Sequence, residues 1–126
     1  MNYRTFEVVA TALGFKTNLT NPNVIHFSYQ LPGVQYRYKN ALPVNDILPT
    51  LKRQLAAFDM NEYAEKLAKK MLNNEQKEQS FKESMESIYY ATDHLQKALK
   101  QLYEACQRVE YRDIAWQVDD VFGEKS

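Results

Sequence analysis

The chain has 126 residues, of which 44% are hydrophobic and 25% charged; this composition is typical of a globular domain that can bury its own core. No apolar run approaches the roughly 18 residues of a membrane span, and the first ten residues lack the basic start and apolar stretch of a signal peptide. A single cysteine cannot form an internal disulfide, which fits a reducing compartment. We therefore expect one cytoplasmic domain over residues 1–126, without a membrane partner.

The net charge of zero conceals a basic and an acidic part of the chain. Residues 1–58 hold six basic and two acidic residues, a net charge of +4. Residues 59–126 hold ten basic and fourteen acidic residues, a net charge of −4. This division predicts either a basic partner surface at one end or two parts that attract each other.

The predicted fold class is α+β, mainly helical, and its first part over residues 1–40 begins with a short helix. Apolar side chains in residues 3–13 fall on one helical face, and Gly14 is a suitable residue to end the helix. The polar segment 16–23 contains Asn21-Pro22-Asn23, which is turn chemistry. We expect this segment to be a loop.

A β-hairpin is predicted at about residues 24–39. Two β-prone runs, 24–31 and 34–39, are separated by Pro32-Gly33, and a two-residue loop would pair Tyr29 with Tyr36. Because proline followed by glycine suits a type II turn, a longer loop with a shifted register is the alternative. One face of the hairpin is then apolar and aromatic, and the other is polar and basic.

Residues 45–112 predict a helical bundle or an antiparallel helix hairpin. One amphipathic helix runs from about Asp46 to Phe58 with Asn45 as its cap, and Asp59 is expected to cap the next helix. The segment 73–76 permits either one continuous helix or a bend between two helices, and the bend is the favoured alternative.

The long helix, about residues 77–112, carries apolar side chains at the four-three spacing of a heptad. This row predicts a buried face, which either forms an oligomer seam between two chains or packs inside one bundle. A parallel row of alanines would let a neighbouring helix approach closely. The residues assigned to the seam are Phe81, Met85, Ile88, Leu95, Leu99 and Leu102.

The last segment, residues 113–126, is an acidic and aromatic tail. Its apolar residues fit either an alternating strand or one face of a helix. We expect Trp116 to pack against the chain's own core, with a role in docking as the alternative.

No cluster of residues indicates catalysis, a cofactor or a metal. His26 and His94 have no matching ligand spacing nearby. Cys106 belongs to the apolar row, so a buried structural thiol is expected rather than a nucleophile. The sequence therefore predicts a protein that is not an enzyme.

The leading functional hypothesis is a protein-interaction module that self-associates, with a protein partner whose identity the sequence leaves open. Tyrosine supplies rigid, amphipathic contact area, and the expected partner-binding residues are Tyr89, Tyr90, Tyr103, Tyr111 and Trp116. The small size and tyrosine-rich surface resemble accessory proteins of phages and mobile elements, although no motif carries this resemblance.

The alternative hypothesis is a nucleic-acid-binding protein that uses the basic face of the hairpin. Its tyrosines would lie on the opposite face from the cations, so the two could not act together on one strand. The expected nucleic-acid contacts are His26, Arg37, Lys39, Lys52 and Arg53, and Lys16 is a further cation near them in the sequence.

Overall fold

The computed structural model describes residues 1–72 and 78–122, with side chains described for 1–19, 21–70 and 85–110. It confirms a mainly helical α+β fold with a short N-terminal helix and a long C-terminal one. The elements in chain order are α1 (Tyr3–Ala12), β1 (Lys16–Asn21), β2 (Val24–Gln30), β3 (Arg37–Pro43), α2 (Ile47–Ala57), α3 (Met60–Leu72) and α4 (Glu78–Phe122).

The sheet has three antiparallel strands in the order β1-β2-β3, where a two-stranded hairpin was expected. The prediction of a loop at residues 16–23 was wrong, because most of this segment forms β1 and only its end supplies the turn into β2. β1 pairs regularly with β2 from Lys16 to Asn18, and its register then shifts before Asn21.

The β2–β3 pairing follows the longer-loop alternative. Tyr29 lies opposite Tyr38, where the two-residue loop would have placed Tyr36. The loop closes through the Leu31 N–H, which donates to the Tyr36 carbonyl at 3.1 Å. The register differs from the predicted one by two residues, and side chains alternate with a period of two, so each side chain keeps its predicted face.

One face of the sheet packs into the core. Ile25 and Phe27 of β2 and Leu42 of β3 are buried, and the Phe27 ring meets the edge of Phe6 from α1 at a centroid distance of 6.0 Å. The outer edge of β3 lies beside α2, where the Gln54 side-chain amide donates to the Ala41 carbonyl at 2.8 Å. The helices therefore cover one side of the sheet.

The apolar row of α4 lies within the core of this single chain. Ile88, Leu95 and Leu102 are completely buried, and Leu99 is 3% exposed. α4 packs against α1, α2 and α3, and Ala91 and Ala98 are buried with the row, as expected for close approach between helices. The row therefore packs inside the bundle of one chain, which is the second of the two predicted alternatives.

α3 and α4 are separate helices that pack against each other, as the bend alternative requires. The cap of α3 is confirmed, because the Asp59 carboxylate accepts from the backbone N–H groups of Asn61 and Glu62 at 3.0 and 3.1 Å. At α2 the cap position is Asp46 rather than the predicted Asn45. The backbone of α4 continues to Phe122, so the tail follows the helical alternative as far as that residue.

Among the residues that the structure describes, none of the helices combines the length and apolarity that crossing a bilayer requires.

Candidate functional site

The outer face of the sheet is open to solvent and carries its polar side chains. Lys16 and Asn18 of β1, His26 of β2 and Lys39 of β3 are all exposed. An antiparallel sheet commonly packs one face on the core and leaves the other solvated, so this face alone is not unusual. The arrangement of its charges is more informative.

Two lysines lie in one row across the three strands. Lys16 pairs with Ser28, and Ser28 pairs with Lys39 on its other side. Neighbouring strands are about 4.8 Å apart, so the two lysine Cα atoms are roughly 10 Å apart with the serine between them. Both ammonium groups can therefore reach one anionic group above Ser28.

Arg37 pairs with Gln30 in the neighbouring row and reaches the same serine from the start of β3. Its Nε donates to the Ser28 Oγ at 2.8 Å, which leaves the remaining guanidinium N–H donors for other acceptors. An open depression of about 600 Å³ lies over this row, and its lining includes Lys16, Ser28, Lys39 and His26 of the next row. The depression thus combines two lysines, a hydroxyl and an imidazole, and Arg37 is bonded to its serine.

No carboxylate of the surrounding segment opposes these cations. Residues 8–45, which include the whole sheet, contain no Asp or Glu, whereas they contain Lys16, Arg37 and Lys39. The open face therefore has a net positive charge contributed by the sheet itself. We call the set Lys16, His26, Ser28, Arg37 and Lys39 the cationic face.

The structure brings together three of the five predicted nucleic-acid contacts. His26, Arg37 and Lys39 share the cationic face, and Lys16 joins them because of the unpredicted strand β1. Lys52 is exposed on α2. Arg53, also on α2, donates to the Asp46 carboxylate at 2.9 Å.

The Asp46 carboxylate offsets part of the charge on α2. Hydrogen bonds from Arg53, and then from the Thr50 hydroxyl, hold the pKa of Asp46 below its ordinary value. Since Arg53 already has an anionic partner, it contributes less to an anion-binding surface than the cations of the sheet.

A cluster of aromatic rings lies at the end of the sheet where β2 finishes. The Tyr29 hydroxyl and the His94 Nε2 share a hydrogen bond of 2.7 Å, and their rings stack at 5.8 Å. Tyr90, one turn before His94 on α4, lies 6.5 Å from the imidazole. We call Tyr29, His94 and Tyr90 the aromatic cluster. The sequence gives no local signal for this contact, because Tyr29 and His94 are 65 residues apart.

The predicted partner-binding tyrosines have different environments. Tyr90 is 65% exposed and Tyr89 is 40% exposed, whereas Tyr103 is partly buried. Tyr111 and Trp116 lie outside the described side chains.

The predicted seam residues lie largely inside the fold. Ile88, Leu95, Leu99 and Leu102 belong to the core and Met85 is partly buried against it, while Phe81 lies outside the described side chains. Self-association stays a prediction, but these core side chains are not available for it while the fold is intact.

The described side chains offer no obvious centre for metal or thiol chemistry. Within them, no group of three or more His, Cys, Asp or Glu converges as metal ligands would. Burial raises the pKa of the Cys106 thiol to about 12, so at neutral pH it is the protonated, structural thiol that the sequence predicts. Comparisons of the chain with protein-family models, with curated proteins and with solved structures find no match.

Proposed function

We propose that this protein is a non-enzymatic binding protein that holds the phosphate backbone of a nucleic acid on its cationic face. The observation that carries the proposal is the row Lys16–Ser28–Lys39, with Arg37 bonded to its central serine. Lysine and arginine at phosphates supply most of the sequence-independent affinity of nucleic-acid-binding proteins.

The same face offers phosphates a hydroxyl as well as charge. Ser28 accepts from Arg37, so its own proton is free to be donated to a phosphate oxygen. Among the described strand residues, no phenylalanine or tyrosine ring points onto this face, because Phe27, Tyr29 and Tyr38 lie on the opposite one. The cationic face therefore supports recognition of the backbone rather than of the bases.

The burial of the heptad row favours nucleic-acid binding over self-association as the function of this protein. Self-association was expected to use the heptad row, and Ile88, Leu95 and Leu102 of that row are completely buried within the chain. The nucleic-acid alternative instead gains support, since the third strand adds Lys16 to the predicted cations.

The proposal is tested by the fluorescence anisotropy of a labelled 12-nucleotide DNA, measured from 50 to 200 mM salt. Each phosphate neutralised on a single strand contributes about 0.7 to the slope of log K against log salt, so Lys16→Gln with Lys39→Gln should lower the slope by about 1.4. The matched control is Lys66→Gln with Lys100→Gln, two exposed lysines on α3 and α4 outside the cationic face.

Two results would contradict the proposal. One is the absence of binding at 50 mM salt, where sequence-independent affinity is strongest. The other is an equal loss of affinity in the sheet variant and the helix variant, because it would mean that net charge rather than the cationic face determines binding.

A second candidate is the protein-interaction module, favoured by the exposure of two adjacent aromatic side chains on α4. Tyr90 is 65% exposed and Tyr89 is 40% exposed, and tyrosine is enriched at protein interfaces. Light scattering between micromolar and millimolar concentrations tests the self-associating form. A dimer that Tyr90→Ala dissociates would support this candidate, whereas a strict monomer would remove self-association.

A further inference from the structure

We infer that the nucleic acid is single-stranded and that it leaves the cationic face at the end of the sheet, where one of its bases stacks on the Tyr90 and His94 rings of the aromatic cluster. This inference rests on the proposed function and adds the strandedness of the partner and a second contact. The cluster lies at the end of the sheet on the side covered by the helices, so the strand passes around this end to reach it.

The cationic face and the aromatic cluster lie on opposite sides of the sheet near the same end of β2. Lys16 follows Phe15 and Ser28 precedes Tyr29, and the Phe15 and Tyr29 rings lie 4.7 Å apart. From Tyr29 the rings continue to His94 at 5.8 Å and to Tyr90 at a further 6.5 Å. A strand that passes around the end of the sheet therefore spans the thickness of the sheet and these two ring-to-ring steps, a path of a few nucleotides at the short end of the sites of single-strand-binding proteins.

The geometry of the cluster holds a stacking surface in place. The hydrogen bond of 2.7 Å between the Tyr29 hydroxyl and the His94 Nε2 fixes the orientation of the imidazole. Tyr90 projects from the same helix and keeps 65% of its surface exposed. A fixed ring with an open side loses little conformational freedom when a base stacks on it.

The charges around the cluster permit an anionic strand. On α4, Asp93 is paired with Lys97 at 3.0 Å, and Glu86 is the exposed acid one turn before Tyr90. At the same end of the sheet, Lys70 donates to the Tyr36 hydroxyl at 3.2 Å and lies 5.4 Å from the centre of that ring. The ion pair with Lys97 therefore offsets the charge of Asp93 beside the cluster.

Stacking is what selects a single strand. A base inside a duplex is already covered on both sides by its neighbours, whereas an unpaired base presents a free ring face to an aromatic side chain. Counterion release at the cationic face occurs with either form of DNA. The two contacts can therefore be separated experimentally.

The test compares Tyr90→Ala with Tyr89→Ala, the adjacent tyrosine, on a labelled 12-nucleotide poly-dT and on a duplex of the same length at fixed salt. Loss of one stacked base weakens binding by roughly five-fold or more, so Tyr90→Ala should lose this much on the single strand and little on the duplex. The slope with salt should stay that of the parent, because stacking releases no counterions. Tyr89→Ala should bind as the parent does.

A direct probe uses Tyr90→Trp in a Trp116→Phe background, which removes the only other tryptophan of the chain. Stacking should quench its fluorescence when poly-dT is added. Salt-dependent binding without quenching, and without a loss in Tyr90→Ala, would overturn this inference and leave the proposed function standing. Equal affinity for single strand and duplex would also overturn it, and binding to neither would remove both.

Discussion

The substitution Leu99→Glu tests whether the heptad row of α4 is core or seam. Leu99 is 3% exposed, and loss of a buried leucine side chain costs about 2–5 kcal/mol. A carboxyl group in an apolar core has a pKa near 8–9 instead of about 4.3. Keeping this carboxyl group protonated in the folded state at pH 7 destabilises the variant by about a further 4 kcal/mol.

Together these costs reach about 6–9 kcal/mol, which is comparable with the whole free energy of unfolding of a domain. The variant should therefore be largely unfolded at pH 7. The exposed neighbour provides a matched control, since Lys100→Glu introduces the same side chain one residue further on, at the surface. We expect its stability to change by about 0.5 kcal/mol or less.

The pH dependence follows from the direction of the pKa change. The introduced carboxyl has a higher pKa in the folded state than in the unfolded state, so its charge penalty is absent below the unfolded value and grows as the pH rises. Between pH 7 and pH 5 the variant should regain about 2.7 kcal/mol relative to the parent. Urea unfolding followed by circular dichroism at both pH values measures this recovery.

One outcome would refute the reasoning. If Leu99→Glu unfolds at the parent's urea concentration and light scattering shows that it has dissociated from a parental dimer, the row is an intermolecular seam and the burial within one chain is misassigned.

Two further predictions concern the helix caps and the thiol. Asp59→Ala removes both hydrogen bonds at the start of α3 and should cost about 0.5–2 kcal/mol of unfolding free energy; an unchanged urea midpoint would show that the cap does not contribute. Cys106 is completely buried, and its pKa is raised to about 12. A thiol-specific disulfide reagent at pH 8 should therefore modify it only as fast as the chain opens. Stoichiometric reaction within the mixing time would contradict its position in the core.

The helices could be predicted from the sequence because their signals are local. The apolar spacing of α4 and the Asp59 cap depend on residues within one or two turns of each other. The burial of Leu95 and Cys106 follows from the same spacing, whichever helix covers them. The number of chains in the bundle does not follow from it, since a heptad row has the same form in both cases.

The strand β1 and the aromatic cluster could not be predicted because they depend on distant partners. The segment from Lys16 to Asn21 is rich in Asn and lacks apolar alternation, so its strand conformation comes from pairing with β2. The contact of Tyr29 with His94 joins two residues that have no shared pattern in the sequence. Lys16 was therefore predicted only as a cation near the hairpin in the sequence, and its place in a strand of the sheet was missed.

The edges of the sheet determine how another molecule can approach it. An unpaired edge strand is a template on which a further strand can add, and this leads to aggregation. Here the Ala41 carbonyl on the β3 edge is already bonded to Gln54, and Pro43 has no N–H to offer. On the other side, the register shift before Asn21 interrupts the straight ladder of β1. Growth of the sheet from either side is therefore disfavoured, which limits aggregation through these strands.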